Sequence, residues 1–231
     1  FAARFGFDDI LAAYNTIDGI SPISRDELIA IMGTLVGGWP ETGMSERLTV
    51  RLSGRIDRLE HRRTDDGKEQ VRLIDYKTGR TPNGRNIFSD LQLICYQLGL
   101  AFPENGGVCG AQAIAAMPDI TQSALFHVMD HTSPAPYGDY DETYHQQALF
   151  SGGSINAGDY VPRKYAKTLD KVFVSALDGA ERPEQVSEEH WKQLLDLRPT
   201  MAVWSLSMIA RVFYAAAASR ATRITARPTP E

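Results

Sequence analysis

Between Gln70 and Lys77 the chain sets Val71, Leu73 and Ile74 directly ahead of Asp75 and Lys77. A short run this rich in Val, Leu and Ile reads as a largely buried strand. A buried strand that keeps a carboxylate and an ammonium has to compensate both charges. This requirement limits the fold more tightly than any bulk property of the chain. Side chains alternate along a strand, so Asp75 and Lys77 project to one face.

The strand has a partner upstream. From Glu46 to Arg63 the residues alternate, with Leu48, Val50 and Leu52 set against Thr49, Arg51 and Ser53, the period of a half-buried strand. Asp65-Asp66-Gly67 supplies a hairpin turn between the two. A hairpin turning there brings position 57 close to position 75, so Asp57 and Asp75 converge at one point of the sheet. A lone Asp, or a lone Asp-x-Lys, carries little meaning. An internal Asp75–Lys77 ion pair would account for two of the charges and leave Asp57 unexplained, together with Gly54, which permits close backbone approach beside it. Two carboxylates are suitable hard ligands for Mg²⁺, with Mn²⁺ as an alternative, and such an ion neutralises phosphoryl oxygens and yields hydroxide at neutral pH. Lys77 would position the attacking water or stabilise a pentacoordinate transition state.

Around this hairpin the spacing predicts helices at Phe7–Tyr14 and Arg25–Leu35, the second capped by Ser24 with Glu27 three positions on. Gly37-Gly38 and Pro40 close that section, and residues 78–84 form a loop. Phe88–Phe102 is helical, with Leu91, Ile94, Cys95 and Leu98 on one face. Val108–Met117 and Ser123–His131 read as strands joined at Pro118-Asp119. Pro162–Leu177, Ser187–Leu197 and Thr200–Arg220 read as helices. The expected class is α/β (α+β): a central mixed sheet flanked by helices, with a C-terminal helical appendage. Three parts are expected: an N-terminal helical segment over 1–44, a core over 45–132, and a loop-rich then helical part over 133–231 packed on that core.

With 231 residues, 43% of them hydrophobic, the chain can bury a real core. Its net charge of -5 argues against a globally basic nucleic-acid binder, yet Arg51–Arg85 holds ten Lys/Arg against six acids. Cys95 and Cys109 lack ligand-like spacing and are expected as reduced core thiols. No run of about 18 to 20 consecutive apolar residues and no secretory signal is evident, so a cytoplasmic location and no membrane partner are expected. The chain opens on Phe1 and closes on Pro228-Thr229-Pro230-Glu231, which suggests a piece of a longer polypeptide.

Gly54-Arg55-Ile56-Asp57, then Asp75-Tyr76-Lys77-Thr78-Gly79, then Gln92-x-x-x-Tyr96, in this order and spacing, closely resemble the motifs of PD-(D/E)xK nucleases of the RecB-like branch, as in the RecBCD, AddAB and AdnAB helicase-nucleases. The resemblance is specific over Arg51–Leu100. It implies a restriction-endonuclease-like core of helix, three-stranded meander, helix and strand. It also implies metal ligation by Asp57, Asp75 and the Tyr76 backbone carbonyl, with Lys77 as the catalytic lysine. Gln92 and Tyr96, at i and i+4 on one helix face, match the motif that lies beside the active site and contacts DNA. Arg55 and Arg80 are expected as further DNA contacts, Arg80 from a Thr78-Gly79-Arg80 segment that reads either as a phosphate-binding turn or as an ordinary one. Family members commonly add an upstream His or acid to the metal site. No histidine precedes His61 here, and Glu46, the Asp8-Asp9 pair and the Asp26-Glu27 pair are all open substitutes. Many relatives carry an iron-sulfur cluster, for which the two cysteines of this chain do not suffice.

The function expected is a Mg²⁺-dependent DNA nuclease domain of a helicase-nuclease in double-strand-break repair, acting on strands delivered by a helicase motor in the same or a partner polypeptide. The rival is a catalytically silent nuclease-like module that binds DNA or docks a subunit. Other clusters read as structural: His127, Asp130 and His131 as surface residues, Ser151-Gly152-Gly153-Ser154 as a generic turn, and Tyr137, Tyr140 and Tyr144 as loop packing.

Overall fold

A computed structural model describes residues 1–79, 84–104, 117–127, 145–159 and 173–220. The chain opens with β1 (Ala2–Gly6), antiparallel to β2 (Thr49–Ser53), with Ala2 opposite Ser53 and Gly6 opposite Thr49. β1 has no counterpart among the elements expected from sequence. Ala3 and Phe5 point inward and Ala2 and Arg4 outward, but these few residues run without a break into the apolar spacing of the helix that follows.

Helices α1 (Phe7–Tyr14) and α2 (Arg25–Leu35) fall where spacing and capping place them. Ser24 Oγ accepts from the Glu27 amide, and the Glu27 carboxylate accepts from the Ser24 amide at 2.8 Å. That reciprocal pair satisfies two amides that the first turn of a helix would otherwise leave unpaired.

The alternating run from Glu46 to Arg63 is not one strand. β2 ends at Ser53, and β3 (Arg58–Arg63) begins after Gly54–Asp57. β2 takes β1 as its partner while β3 pairs with β4 (Glu69–Lys77), so the residues between them switch sheets. The three-stranded meander implied by the resemblance is therefore a β3–β4 hairpin beside a separate β1–β2 ribbon. The turn at Asp65-Asp66-Gly67 is present, with Gly67 at φ 85° and the Thr64 amide donating to Lys68 O at 2.9 Å.

The central sheet runs β3-β4-β5-β6. β5 (Asp119–His127) lies parallel to β4, and β6 (His145–Gln146) antiparallel to β5, so the sheet is mixed, as expected. From β4 to β5 the chain passes through a 3₁₀ turn (Gly84–Ser89) and α3 (Leu91–Ala101). Asp90 caps α3, its carboxylate accepting from the Leu93 amide at 3.0 Å, which is why the helix starts later than Phe88. β5 in turn begins ahead of the expected Ser123. β7 (Phe150–Ser151) and β8 (Ser154–Ile155) form a two-stranded hairpin turned by Gly152 and Gly153, at φ 58° and 86°. Positive φ at both central residues is the demand of a tight hairpin turn, so the Ser-Gly-Gly-Ser run is structural. Most of the strand expected at Val108–Met117, and residues 162–172 of the helix expected at Pro162–Leu177, lie outside the described residues; Val174–Leu177 is 3₁₀.

The C-terminal helices are α4 (Glu188–Asp196), capped by Ser187, and α5 (Met201–Arg220). α5 packs on α2, α3, β2 and β8, with Trp204 fully buried and its Nε1 donating to Phe88 O at 3.0 Å. α5 is long and apolar enough to cross a membrane by length and composition, although Ser205, Ser207 and Arg211 interrupt its apolar run. Of its most apolar window 72% is buried inside the fold, the behaviour of a core helix.

Glu27 ties the two ends of the described chain together. Beyond capping α2, its Oε1 accepts from the Ser187 amide at 3.1 Å and lies 2.6 Å from His190 Nδ1, both at the start of α4. Burial pushes the Glu27 carboxyl upward, but the hydrogen bonds from Ser24, His190 and Ser187 outweigh it and bring the pKa from 4.5 down to about 2. A depressed carboxyl pKa adds stability above the unfolded value, and this stability is lost as pH falls through the folded one. Glu27→Gln should therefore lower urea-unfolding stability by up to about 3 kcal/mol at pH 7. The gap between variant and wild type should narrow as pH falls from 4.5 towards 2, and a gap that stays constant over that window would refute the tie.

Candidate active site

The β3–β4 register pairs Arg58 with Ile74. One step further along the antiparallel ladder Asp57 opposes Asp75. The Asp57 carboxylate takes the place of the next strand carbonyl: its Oδ2 accepts from the Tyr76 amide at 3.0 Å. A charge-assisted bond of this kind fixes the carboxylate at the end of the ladder.

Asp75 is buried at 4% exposure, opposite Leu125 of β5. Its Oδ2 faces the Lys77 ammonium at 2.5 Å. Its Oδ1 accepts from Tyr96 OH at 3.0 Å and, at longer range, from Gln92 Nε2 at 3.4 Å. Gln92 closes the ring, with Oε1 accepting from Lys77 Nζ at 2.6 Å and Nε2 donating to Tyr96 OH at 2.7 Å. The Tyr96 hydroxyl thus accepts from Gln92 and donates to Asp75. Burial, joined by the charges of Asp75 and Asp57, raises its pKa against the pull of the Gln92 bond, which keeps it a donor.

Asp57, Asp75, Lys77, Gln92 and Tyr96, expected from strand pairing and from the family resemblance, therefore meet at one place, and α3 presents the last two on one face. Tyr76 lies between Asp75 and Lys77, an exposed residue whose ring is set edge-on against Phe126. Arg55 is exposed in the link before Asp57. Arg80 lies outside the described residues, as do Cys109, Asp130, His131, Tyr137, Tyr140 and Tyr144.

The upstream acids are placed elsewhere. Glu27 is held by Ser24, Ser187 and His190. Asp9 accepts from the Gly6 amide at 2.8 Å, and Asp8 pairs with Arg25 at 3.0 Å. Glu46 is exposed, and its backbone carbonyl receives Arg25. No cluster of three His, Cys, Asp or Glu suited to a metal ion occurs among the described residues, so none of these joins Asp57 and Asp75.

Much of the basic surplus between Arg51 and Arg85 is matched within the fold: Arg58 and Arg72 share Glu60, Lys68 pairs with Asp119 and Arg51 with Glu104. Two further residues support the site without any motif to announce them. Gln97, fully buried, donates to Gln146 Oε1 at 3.1 Å and accepts from the Leu149 amide at 2.8 Å. Gln146 donates to Ile87 O and Asp90 O, at 2.7 and 3.1 Å, which locks the N-terminus of α3 to β6. The available signal was a glutamine among the buried residues Leu93, Ile94, Leu98 and Ala101 of α3.

Comparison with known families agrees with this geometry. The profile described as PD-(D/E)XK nuclease superfamily matches residues 11–167, more than half of the chain, and the chain belongs to that superfamily. It is thereby placed among nucleases, phosphodiester hydrolases whose members typically use divalent metal ions. No curated protein and no solved structure gives a significant match.

Tyr96→Phe removes one donor to Asp75 and one acceptor for Gln92 in a mostly buried setting. It should cost about 1 to 3 kcal/mol in chemical denaturation at neutral pH. An unchanged unfolding midpoint would mean that the hydroxyl contributes nothing to holding the carboxylate.

Proposed function

We propose that this chain is a metal-dependent DNA nuclease domain of the RecB-like branch, with Asp57, Asp75 and Lys77 as its catalytic centre. The observation that carries the reading is the convergence of the two carboxylates and the lysine at the end of the β3–β4 hairpin, with Asp75 braced by Gln92 and Tyr96.

The donor chemistry fits a small divalent cation. Mg²⁺ is held in many sites by one or two carboxylates, with water and substrate phosphate oxygens filling the remaining positions; Asp57, Asp75 and the Tyr76 backbone carbonyl would hold it here, and Mn²⁺ has the same ligand preference. When bound, the ion neutralises charge on the phosphoryl oxygens and acidifies water for attack. The chain's own residues do the rest. Tyr96 and Gln92 fix the rotamer of Asp75. Lys77, anchored by Gln92 and Asp75, places a positive charge where negative charge builds on the phosphorane. Arg55 and Arg80 would hold flanking phosphates, contacts that set register without reading sequence. In this reading the domain is cytoplasmic, uses no iron-sulfur cluster within this chain, and receives DNA from a helicase motor in the same or a partner polypeptide during double-strand-break repair and recombination.

A second reading has one observation in its favour: among the described residues no third ligand accompanies Asp57 and Asp75. A nuclease-like module that binds DNA or docks a subunit without cutting needs no third ligand. Its retention of both carboxylates and the lysine favours the catalytic reading.

Labelled single-stranded and duplex DNA incubated with Mg²⁺, Mn²⁺ or EDTA separates the two. Cleavage should require the metal and vanish in Asp75→Ala, and Lys77→Ala should lower it about 100-fold or more while leaving DNA affinity near wild type. Binding without cleavage under every metal condition would establish the silent module instead.

A further inference from the structure

One side of Tyr96 is walled by an aromatic ring that no motif includes. Phe1 extends the β1–β2 ladder by one step, its carbonyl accepting from the Gly54 amide at 3.1 Å. Its ring stands edge-on to Tyr96, with centroids 5.9 Å apart and planes at 87°. Two glycines make room for it. A Cβ on Gly54 would lie 2.8 Å from Phe1 Cε1, and a Cβ on Gly99 would come under 3.0 Å from Phe1 Cδ2 and Cε2, closer than real Cβ contacts. Neither glycine has a positive φ, so the backbone does not require them; the ring does. Gly99 sits inside α3, where glycine costs about 1 kcal/mol relative to alanine, and the space it leaves is what the helix gains in return. Gly99 follows Tyr96 by three positions and so shares its helix face. Gly54 opens the link that delivers Asp57. The ring therefore touches both the approach to one carboxylate and the helix that braces the other.

We propose that Phe1 is a positioning residue of the active site: seated between Gly54 and Gly99, its ring holds Tyr96 so that the hydroxyl meets Asp75 Oδ1. Without the ring, the space beside Tyr96 lets its side chain tilt, and a small tilt at the base swings the hydroxyl at the far end away from Asp75. The carboxylate then keeps Lys77 and only the long contact to Gln92. The kinetic consequence rests on the nuclease reading; the structural consequence does not.

The test combines ¹⁹F NMR of the full chain labelled with 3-fluorotyrosine, using Tyr96→Phe to assign the resonance, with cleavage kinetics. Phe1→Ala should shift and broaden the Tyr96 signal, and Phe1→Leu, which refills most of the slot, should restore it in large part. Gly99→Ala should expel the ring and reproduce Phe1→Ala, and the Phe1→Ala/Gly99→Ala pair should be no worse than Phe1→Ala alone, because the slot is already empty. In cleavage, Phe1→Ala should lower kcat about tenfold with KM unchanged, and should add nothing in a Tyr96→Phe background. An unmoved Tyr96 resonance in Phe1→Ala would overturn the proposal. So would an equal kcat loss with and without the Tyr96 hydroxyl, since that marks bulk packing rather than positioning. Should wild type cleave nothing while the resonance responds as expected, the nuclease reading falls and the positioning role stands.

Discussion

A carboxylate at 4% exposure is a costly thing to place in the middle of a sheet. The Asp75 side chain is tolerable there because an ammonium faces one oxygen and a phenol and an amide approach the other. Each of those groups has to arrive from somewhere, and the fold can be read as the means of bringing them. Lys77 comes from the same strand by alternation. Tyr96 and Gln92 come from the helix of the β4–β5 connection, one turn apart, which obliges α3 to lie across the end of β4 with a fixed rotation about its axis.

That rotation is set by polar contacts as well as by packing. Gln97 and Gln146 occupy interior positions where an apolar residue would be expected, and between them they satisfy backbone groups of the loop after β6 and of the turn that leads into α3. A buried amide with its donors and acceptors met resists sliding more than an apolar contact, because a shift of one residue would strand several polar groups at once. Trp204 of α5 adds a bond to the same turn through Phe88 O. The C-terminal helix, remote in sequence from every motif, thus helps to set the angle from which Gln92 and Tyr96 reach the site.

What the sequence made legible was local or periodic. Ser24 with Glu27 writes a capping box, Asp65-Asp66-Gly67 writes a turn, and the position of that turn is enough to bring residue 57 opposite residue 75. Gln92 and Tyr96 were accessible through the family resemblance, which the i and i+4 spacing on one helix face supported. Less legible were features that depend on which partner a segment finds. The run from Glu46 to Arg63 has one period, but its two halves pair with different strands, and nothing in the alternation marks the change except Gly54. β1 was hidden because Ala3 and Phe5 blend into α1. Glu27 reads from sequence as half of a cap, although it also receives Ser187 and His190 from more than a hundred and fifty residues away. A count of ten basic residues between Arg51 and Arg85 does not say which of them is interior, and Arg72 is buried against Glu60.

Among the described residues the central sheet ends at β3, a strand with most of its side chains in water. Edge strands with few buried apolar contacts open at lower free energy than the core behind them. Asp57 lies just ahead of that strand, its carboxylate bonded across to the Tyr76 amide of β4, while Asp75, Lys77, Gln92 and Tyr96 belong to elements buried further in. The two carboxylates thus sit on opposite sides of the β3–β4 seam. Fraying of a few residues would carry Asp57 off and leave the remainder assembled, so the fraction of molecules that hold both carboxylates together would follow the local closing equilibrium of β3 rather than the global stability of the fold.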